Sequence, residues 1–158
     1  LPPLSVTVAD ARTLRRAALI GAPLAAAALA AALLLADGGA EGDPVRGAAL
    51  YAEACASCHG AALEGQPDWM ERGPDGRLPA PPHDASGHTW HHSDRVLFRI
   101  VKEGTEAVVG GGYESDMPGF GDSLTDAEIR DVLAFIKSRW PERERAYQAQ
   151  VSEQDADG

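Results

Sequence analysis

Three segments of the chain combine apolar residues at helical spacing with a residue suited to cap a helix N-terminus. The first begins at Asp43, where Pro44 fits the first helical position, and it runs toward Cys55. The second begins after Ser93 and ends at Gly104. Its apolar positions follow the helical period: Val96, Leu97, Ile100 and Val101.

The third helix has the clearest start, because Thr125 and Glu128 form the capping-box pattern. One face of this helix is apolar: Ile129, Val132, Leu133, Ile136 and Trp140. Pro141 marks its end, and the polar tail beyond is expected to be helical at first and then frayed. Strands have almost no support in the sequence, so we predict an all-α fold with three main helices.

Long connections separate these helices. Residues 60–92 contain five prolines, which predicts an irregular segment. Residues 105–123 are rich in glycine and predict a loop. The three consecutive glycines at 110–112 are typical of a flexible turn, because no strand precedes them and no lysine follows as a phosphate-binding loop requires.

The N-terminal part of the chain has a targeting pattern. Residues 17–36 carry no charge and follow Arg12, Arg15 and Arg16. This length suffices for a helix across the roughly 30 Å hydrocarbon core, so we expect a membrane anchor, with a cleaved signal peptide as the alternative because the segment is rich in alanine. Both interpretations place residues 37–158 on the side of the membrane opposite the arginines. The chain then divides into an apolar N-terminal helix (1–36), a linker (37–43), a domain (44–140) and a polar tail (141–158).

Charge is distributed as unevenly as hydropathy. The 158 residues include 14 Lys and Arg against 24 Asp and Glu, a formal net charge of −10. Residues 1–36 account for +2 and the remainder for −12. Such acidity argues against nucleic acid as a partner, because it would not neutralise phosphates. Two cysteines are also too few for a scaffold held together by disulfides.

Both cysteines lie in one motif, CASCH at residues 55–59, which is the attachment signature of c-type haem. On a helical turn Cys55 and Cys58 share a face, where each thiol can add to a haem vinyl group, and His59 can bind the iron. A thioredoxin-like redox pair would need a βαβ context that the sequence lacks. A zinc site with two histidines from residues 83–92 stays as an alternative.

A sixth iron ligand is expected from the glycine-rich loop. The chain has two methionines, and Met117 is fixed by Pro118 in a loop that can cover the haem face opposite His59. Methionine and histidine together raise the reduction potential and close the iron to substrates. Met70 is expected to pack or to lie at the surface. Ligation by a second histidine from residues 83–92 remains open.

With these residues in place, the chain resembles the class I cytochromes c over about residues 43–140. Gly47 and Tyr51 resemble the glycine and the aromatic residue of the family's N-terminal helix, and Phe135 resembles the aromatic residue packed against them. A glycine at a helix crossing lets two backbones approach closely. The resemblance implies a cytochrome c fold around one covalently bound haem c.

The axial ligands implied by the resemblance are His59 and Met117, the latter in the segment DMPGF. The family also has a proline whose carbonyl accepts the N–H of the proximal imidazole, and Pro67 is the nearest candidate for it. Trp90 is a candidate for a hydrogen bond to a haem propionate.

The histidine-rich part of the long connection departs from the compact family pattern. His83, His88, His91 and His92 lie there together. We interpret this segment as solvated or in contact with the propionates, while copper or zinc binding with the help of Asp84 and Asp94 remains an alternative.

The resemblance implies a single-haem carrier that shuttles electrons on the periplasmic side of a bacterial cytoplasmic membrane. A bc-type complex and a terminal oxidase are the partners it suggests, and the acidic domain would favour positively charged docking surfaces. The alternatives are a haem enzyme or gas sensor with a displaceable sixth ligand, and a metal-handling module that uses the His83–His92 segment.

Overall fold

The computed structural model of the protein describes residues 42–157, and the structural statements below concern that part of the chain. Six α-helices lie within it: α1 Pro44–Ala54, α2 Ala56–His59, α3 Asp94–Glu103, α4 Thr105–Val109, α5 Asp126–Ser138 and α6 Glu142–Ala156. A single 3₁₀ turn occupies Thr89–His91, and no strand occurs in the same range. The predicted all-α fold is confirmed, and α1, α3 and α5 are the three helices that the sequence predicts.

The predicted caps form as the sequence indicated. The Asp43 carboxylate accepts hydrogen bonds from the backbone N–H groups of Val45 and Arg46 at the start of α1. Thr125 and Glu128 form a complete capping box at the start of α5. Because these bonds satisfy N–H groups that have no partner inside the helix, they fix where each helix begins.

The two helices with the most extensive contact are α1 and α5. Gly47 lies at their crossing, where a Cβ atom would come within 1.9 Å of the Asp131 carbonyl oxygen. One turn further on, the rings of Tyr51 and Phe135 lie 5.3 Å apart. The interpretation of Gly47 as the glycine of a close helix crossing is therefore confirmed.

The hydrophobic core lies between α1, α3 and α5. Its buried members are Tyr51, Leu63, Leu97, Val101, Ile129, Val132, Leu133, Ile136 and Trp140. Five of them form the apolar face that the sequence of α5 predicts. Five of the core side chains also form part of a cavity wall: Leu97, Val101, Val132, Leu133 and Ile136.

Asp131 is a buried carboxylate that joins the start of α1 to α5. It accepts a hydrogen bond from the Asp43 backbone N–H at 2.6 Å and a second one from the Arg46 guanidinium. The bond from Arg46 is the main cause that lowers the pKa of Asp131 below its usual range, and burial opposes it. The carboxylate therefore stays charged and fixes the N-terminal end of the domain to α5.

Replacing Asp131 by Asn is expected to lower the free energy of unfolding by about 1–2 kcal/mol at pH 7, because the charge-assisted bond to the partly exposed Arg46 is lost. Since the folded pKa is depressed, this contribution is present above the unfolded pKa of about 4 and is lost as the pH falls through the folded value. Denaturant unfolding at pH 7 and at pH 3 measures it. The exposed Asp122→Asn serves as control, and an equal loss at both pH values would contradict the assignment.

The structure differs from the sequence prediction in two segments, the glycine-rich segment 105–123 and the C-terminal tail. Residues 105–123 are not loop throughout, because α4 occupies Thr105–Val109. The C-terminal tail does not fray after its first turns but forms the 15-residue helix α6. Gln148 explains this order: it is buried, and its amide donates to the His92 carbonyl oxygen and to the Asp94 carboxylate. The polar C-terminal segment is thus ordered by contacts with residues that are distant from it in the sequence.

The predicted anchor or signal at residues 1–36, and nearly all of the predicted linker, lie outside the described residues. From residue 42 to residue 157, none of the helices has the length and apolar character needed to cross a membrane.

Candidate functional site

One cavity of about 390 Å³ lies against the core. Most of its wall is apolar, including Leu78, Leu97, Ile100, Val101, Phe120, Val132, Leu133 and Ile136. Cys55, Cys58, His59 and Met117 all line it. The fold thus brings together, around one apolar space, four residues that the sequence placed as much as 62 positions apart.

The CASCH motif forms a short helical turn at the cavity wall. Cys55 ends α1, and the next four residues form α2, where the N–H of His59 donates to the Cys55 carbonyl oxygen at 2.9 Å. Both thiols are free of disulfide bonds. Burial, together with the neighbouring Cys58, raises the pKa of Cys55 to about 11. Its sulfur is therefore a neutral thiol, unlike the thiolate of a thioredoxin-like redox pair.

His59 is held by its Nδ1 atom, which lies 2.9 Å from the Pro81 carbonyl oxygen. A proton on Nδ1 donates to that carbonyl and leaves the Nε2 lone pair free for a metal. Burial lowers the pKa of His59, and the bond to Pro81 only partly opposes it. The imidazole is therefore neutral near pH 7, as metal coordination requires.

The carbonyl acceptor is thus Pro81, and the prediction of Pro67 is wrong. The reason lies in the path of the connection: the Gln66 N–H donates to the Ala80 carbonyl oxygen at 2.9 Å, and the Ala80 N–H donates to the Gln66 side chain at 2.7 Å. Residues 67–79 therefore form an excursion that closes on itself. The chain returns to His59 only at Pro81.

Met117 is positioned by its own backbone and by its neighbours. Its N–H donates to the Ser115 hydroxyl at 3.2 Å, and the Ser115 N–H donates to the Glu106 carboxylate at 2.8 Å. Asp116 forms an ion pair with Arg77 of the 67–79 excursion. These contacts fix the loop from both sides. Met70, in contrast, is 74% exposed, which agrees with its predicted position at the surface.

The four histidines of the long connection have different environments. His83 is half-buried at the cavity wall, and desolvation of its ring is the main cause that lowers its pKa to about 3. His88 and His92 line the cavity, and burial followed by histidine neighbours lowers the pKa of both. His91 is exposed and lies away from the wall. Within residues 42–157, no group of three or more His, Cys, Asp or Glu residues is arranged to hold a metal ion, so the zinc and copper alternatives find no site there.

Trp90, the predicted propionate contact, is not brought to the cavity wall. The centroid of its ring lies 3.7 Å from that of His91 and 5.4 Å from that of Tyr147 in α6. Its buried Nε1 atom has no hydrogen-bond partner among the described residues. The tryptophan on the wall is Trp69, stacked on His88 with the ring centroids 5.3 Å apart. Sequence reasoning missed Trp69, because nothing in its spacing marks it.

The donor set fits a haem with thioether links: two thiols on one helical turn, an imidazole with its outer nitrogen satisfied, and a thioether in a fixed loop around an apolar space. The comparisons with known proteins agree with this chemistry. The family model for cytochrome c matches residues 44–140, which is more than half of the chain and includes every one of these residues. Comparison with curated proteins and with solved structures finds no match. The chain belongs to the cytochrome c family, whose cofactor is covalently bound haem c.

Proposed function

We propose that this protein is a single-haem electron carrier whose iron is closed on both faces, by His59 and by Met117. The observation that supports it most strongly is the common apolar cavity lined by the CASCH motif and by Met117. When bound, haem c supplies an iron that alternates between Fe(III) and Fe(II). The chain's own residues hold the cofactor, keep water away and limit rearrangement.

Each ligand residue has a distinct role in this proposal. Cys55 and Cys58 provide the thioether links, which keep the cofactor attached through every redox cycle. His59 presents Nε2 to the metal because Pro81 holds its other nitrogen. Met117 supplies a neutral, soft sulfur, which favours the reduced iron and leaves no position for a substrate.

The proposal includes hydrogen-bond donors for the two haem carboxylates. Among residues 42–157, no lysine or arginine lines the wall, although the carboxylates need donors in such an apolar setting. His88 and His92 lie there with their ring centroids 5.4 Å apart, beside Trp69. These side chains would donate to the carboxylates, while a contribution from the unpartnered Nε1 atom of Trp90 stays a prediction.

The loop that carries Met117 is bonded to the domain core through the residues that follow it, and such a fixed loop suits electron transfer. The Phe120 N–H donates to the Val101 carbonyl oxygen at 2.9 Å, and the Gly121 N–H donates to the Lys102 carbonyl oxygen at 3.0 Å. Together with the ion pair between Arg77 and Asp116, these bonds resist movement of Met117 between the two oxidation states. An unmoved ligand sphere keeps the reorganisation cost of each electron transfer small.

The proposal extends to location and partners. The arginines and the uncharged residues 17–36 support export, with the domain on the periplasmic side of a bacterial cytoplasmic membrane, anchored there or soluble after cleavage. A bc-type complex as donor and a terminal oxidase as acceptor fit such a carrier. A charge of −12 outside the leader supports partners with positively charged docking surfaces.

Spectra and mass of the purified protein test the proposal. One covalently bound haem should appear in the intact mass, the oxidised protein should show the weak Met-to-Fe(III) charge-transfer band, and cyanide should bind slowly. The same mass reports whether residues 1–36 are retained. If the band is absent and cyanide binds at once, the sixth position is open, and the haem enzyme or sensor replaces the electron carrier.

A further inference from the structure

His83 lies directly against the imidazole of His59. The two rings are stacked with centroids 4.0 Å apart and planes 24° apart. The His83 side chain is half-buried, and its ring centroid lies 6.3 Å from that of Tyr51, with the two planes 72° apart. A flat polar ring thus covers one face of the residue that binds the iron, a place where an aliphatic side chain would be enough to fill the space.

The position of His83 is fixed by three hydrogen bonds from three different parts of the chain. Its N–H donates to the Leu63 carbonyl oxygen at 2.8 Å, and its carbonyl oxygen accepts from the Trp140 indole at 2.7 Å. Its ring Nδ1 lies 2.9 Å from the Thr89 hydroxyl oxygen. Neither the backbone nor the ring of His83 is therefore free to adjust independently of the fold.

Leu63 supports the same arrangement at a conformational cost. It is a buried leucine with a φ of +70°, in the left-handed region that residues with a Cβ rarely adopt. It lies four residues after His59 in a tight loop, in which the Gly65 N–H donates to the His59 carbonyl oxygen at 2.8 Å. The conformation that strains Leu63 aims its carbonyl oxygen at the His83 N–H, and strain of this kind is concentrated at functional sites.

We propose that His83 is a positioning residue for the axial ligand, and that its flat ring fixes the plane of the His59 imidazole. The hydrogen bond from Nδ1 to Pro81 selects the nitrogen that faces the metal, but one contact at the ring edge leaves the ring plane able to tilt. A second ring stacked at 4.0 Å blocks this tilting. The inference rests on the proposed function in one respect, that His59 binds the iron of haem c.

The test uses the purified holoprotein and three variants. His83→Leu removes the flat face but keeps the bulk, whereas His83→Phe keeps the flat face and removes the bond to Thr89. His91→Phe is the matched control, because His91 belongs to the same connection, is exposed, lies away from the cavity wall and is not stacked on His59. The readout is the order of the four haem ring-methyl signals in the proton NMR spectrum of the ferric protein, since these shifts depend on the orientation of the imidazole plane.

We expect the wild-type order of methyl signals in the His83→Phe and His91→Phe variants and its loss in the His83→Leu variant. A His83→Leu protein that keeps the wild-type order overturns the inference. If that variant yields no mature protein, His83→Met, a second aliphatic side chain without a flat face, takes its place: loss of the wild-type order supports the role of the flat ring, and retention of that order overturns it. Failure of the proposed function is seen separately, as a missing Met-to-iron band in the wild-type protein.

Discussion

Replacing Met117 by Ala is expected to leave haem covalently attached while abolishing the Met-to-Fe(III) charge-transfer band. The reduction potential should fall by on the order of 0.1–0.2 V, within the roughly 0.8 V range over which axial ligands set haem potentials. The physical reason is the loss of a soft, neutral sulfur that stabilises Fe(II) relative to Fe(III). Cyanide should then bind quickly, because the sixth position is open. Optical spectra, potentiometry and stopped-flow mixing measure these three effects.

The domain should remain folded in this variant, because the bonds that hold the loop involve the backbone of Met117 and its neighbours and not its side chain. Met70→Ala is the matched control, since that methionine is 74% exposed and should leave band and potential unchanged. A Met117→Ala protein with the wild-type spectrum and potential would contradict the assignment. The ligand would then be a histidine of the wall, and the variant His88→Leu would be the next one to examine.

Features set by neighbouring residues were predictable from the sequence. The start of α1 depends on Asp43 and Pro44, and the start of α5 depends on a capping box completed within three residues. The CASCH motif is equally local, because two thiols and an imidazole share one helical turn. Such features need no knowledge of the tertiary fold.

Features that depend on contacts between distant residues were not predictable in the same way. The acceptor of the His59 imidazole is 22 residues away, and its identity follows from a closed excursion whose base is formed by Gln66 and Ala80. Helix α6 owes its order to Gln148 and to the pairing of Asp155 with Arg95, across 60 residues. No local pattern in a polar segment specifies such partners.

The 67–79 excursion also helps to hold the loop that carries Met117. Arg77 pairs with Asp116, the residue before Met117, and the Arg72 guanidinium lies 5.6 Å from the centre of the Tyr113 ring. A segment that the sequence marked only as an irregular connection therefore touches the loop that carries Met117, the proposed sixth ligand.

Replacing Gly47 by Ala is expected to lower the free energy of unfolding by about 3 kcal/mol, the upper part of the range for overpacked cores. The added Cβ atom would lie 1.9 Å from the Asp131 carbonyl oxygen, which belongs to helix backbone and cannot move aside like a flexible side chain. The helices α1 and α5 must then separate, which loosens the contact between Tyr51 and Phe135.

The sign of this effect distinguishes packing from helix propensity. Propensity alone predicts that alanine in place of a glycine inside a helix stabilises the protein by about 1 kcal/mol. Guanidinium unfolding of the holoprotein measures the difference, and Gly111→Ala is the control. That glycine has a φ of +63° and open space around its Cβ position, so its replacement should cost only about 1–2 kcal/mol of backbone strain. A Gly47→Ala protein as stable as wild type, or more so, would show that the close crossing of α1 and α5 does not determine the stability of the haem domain.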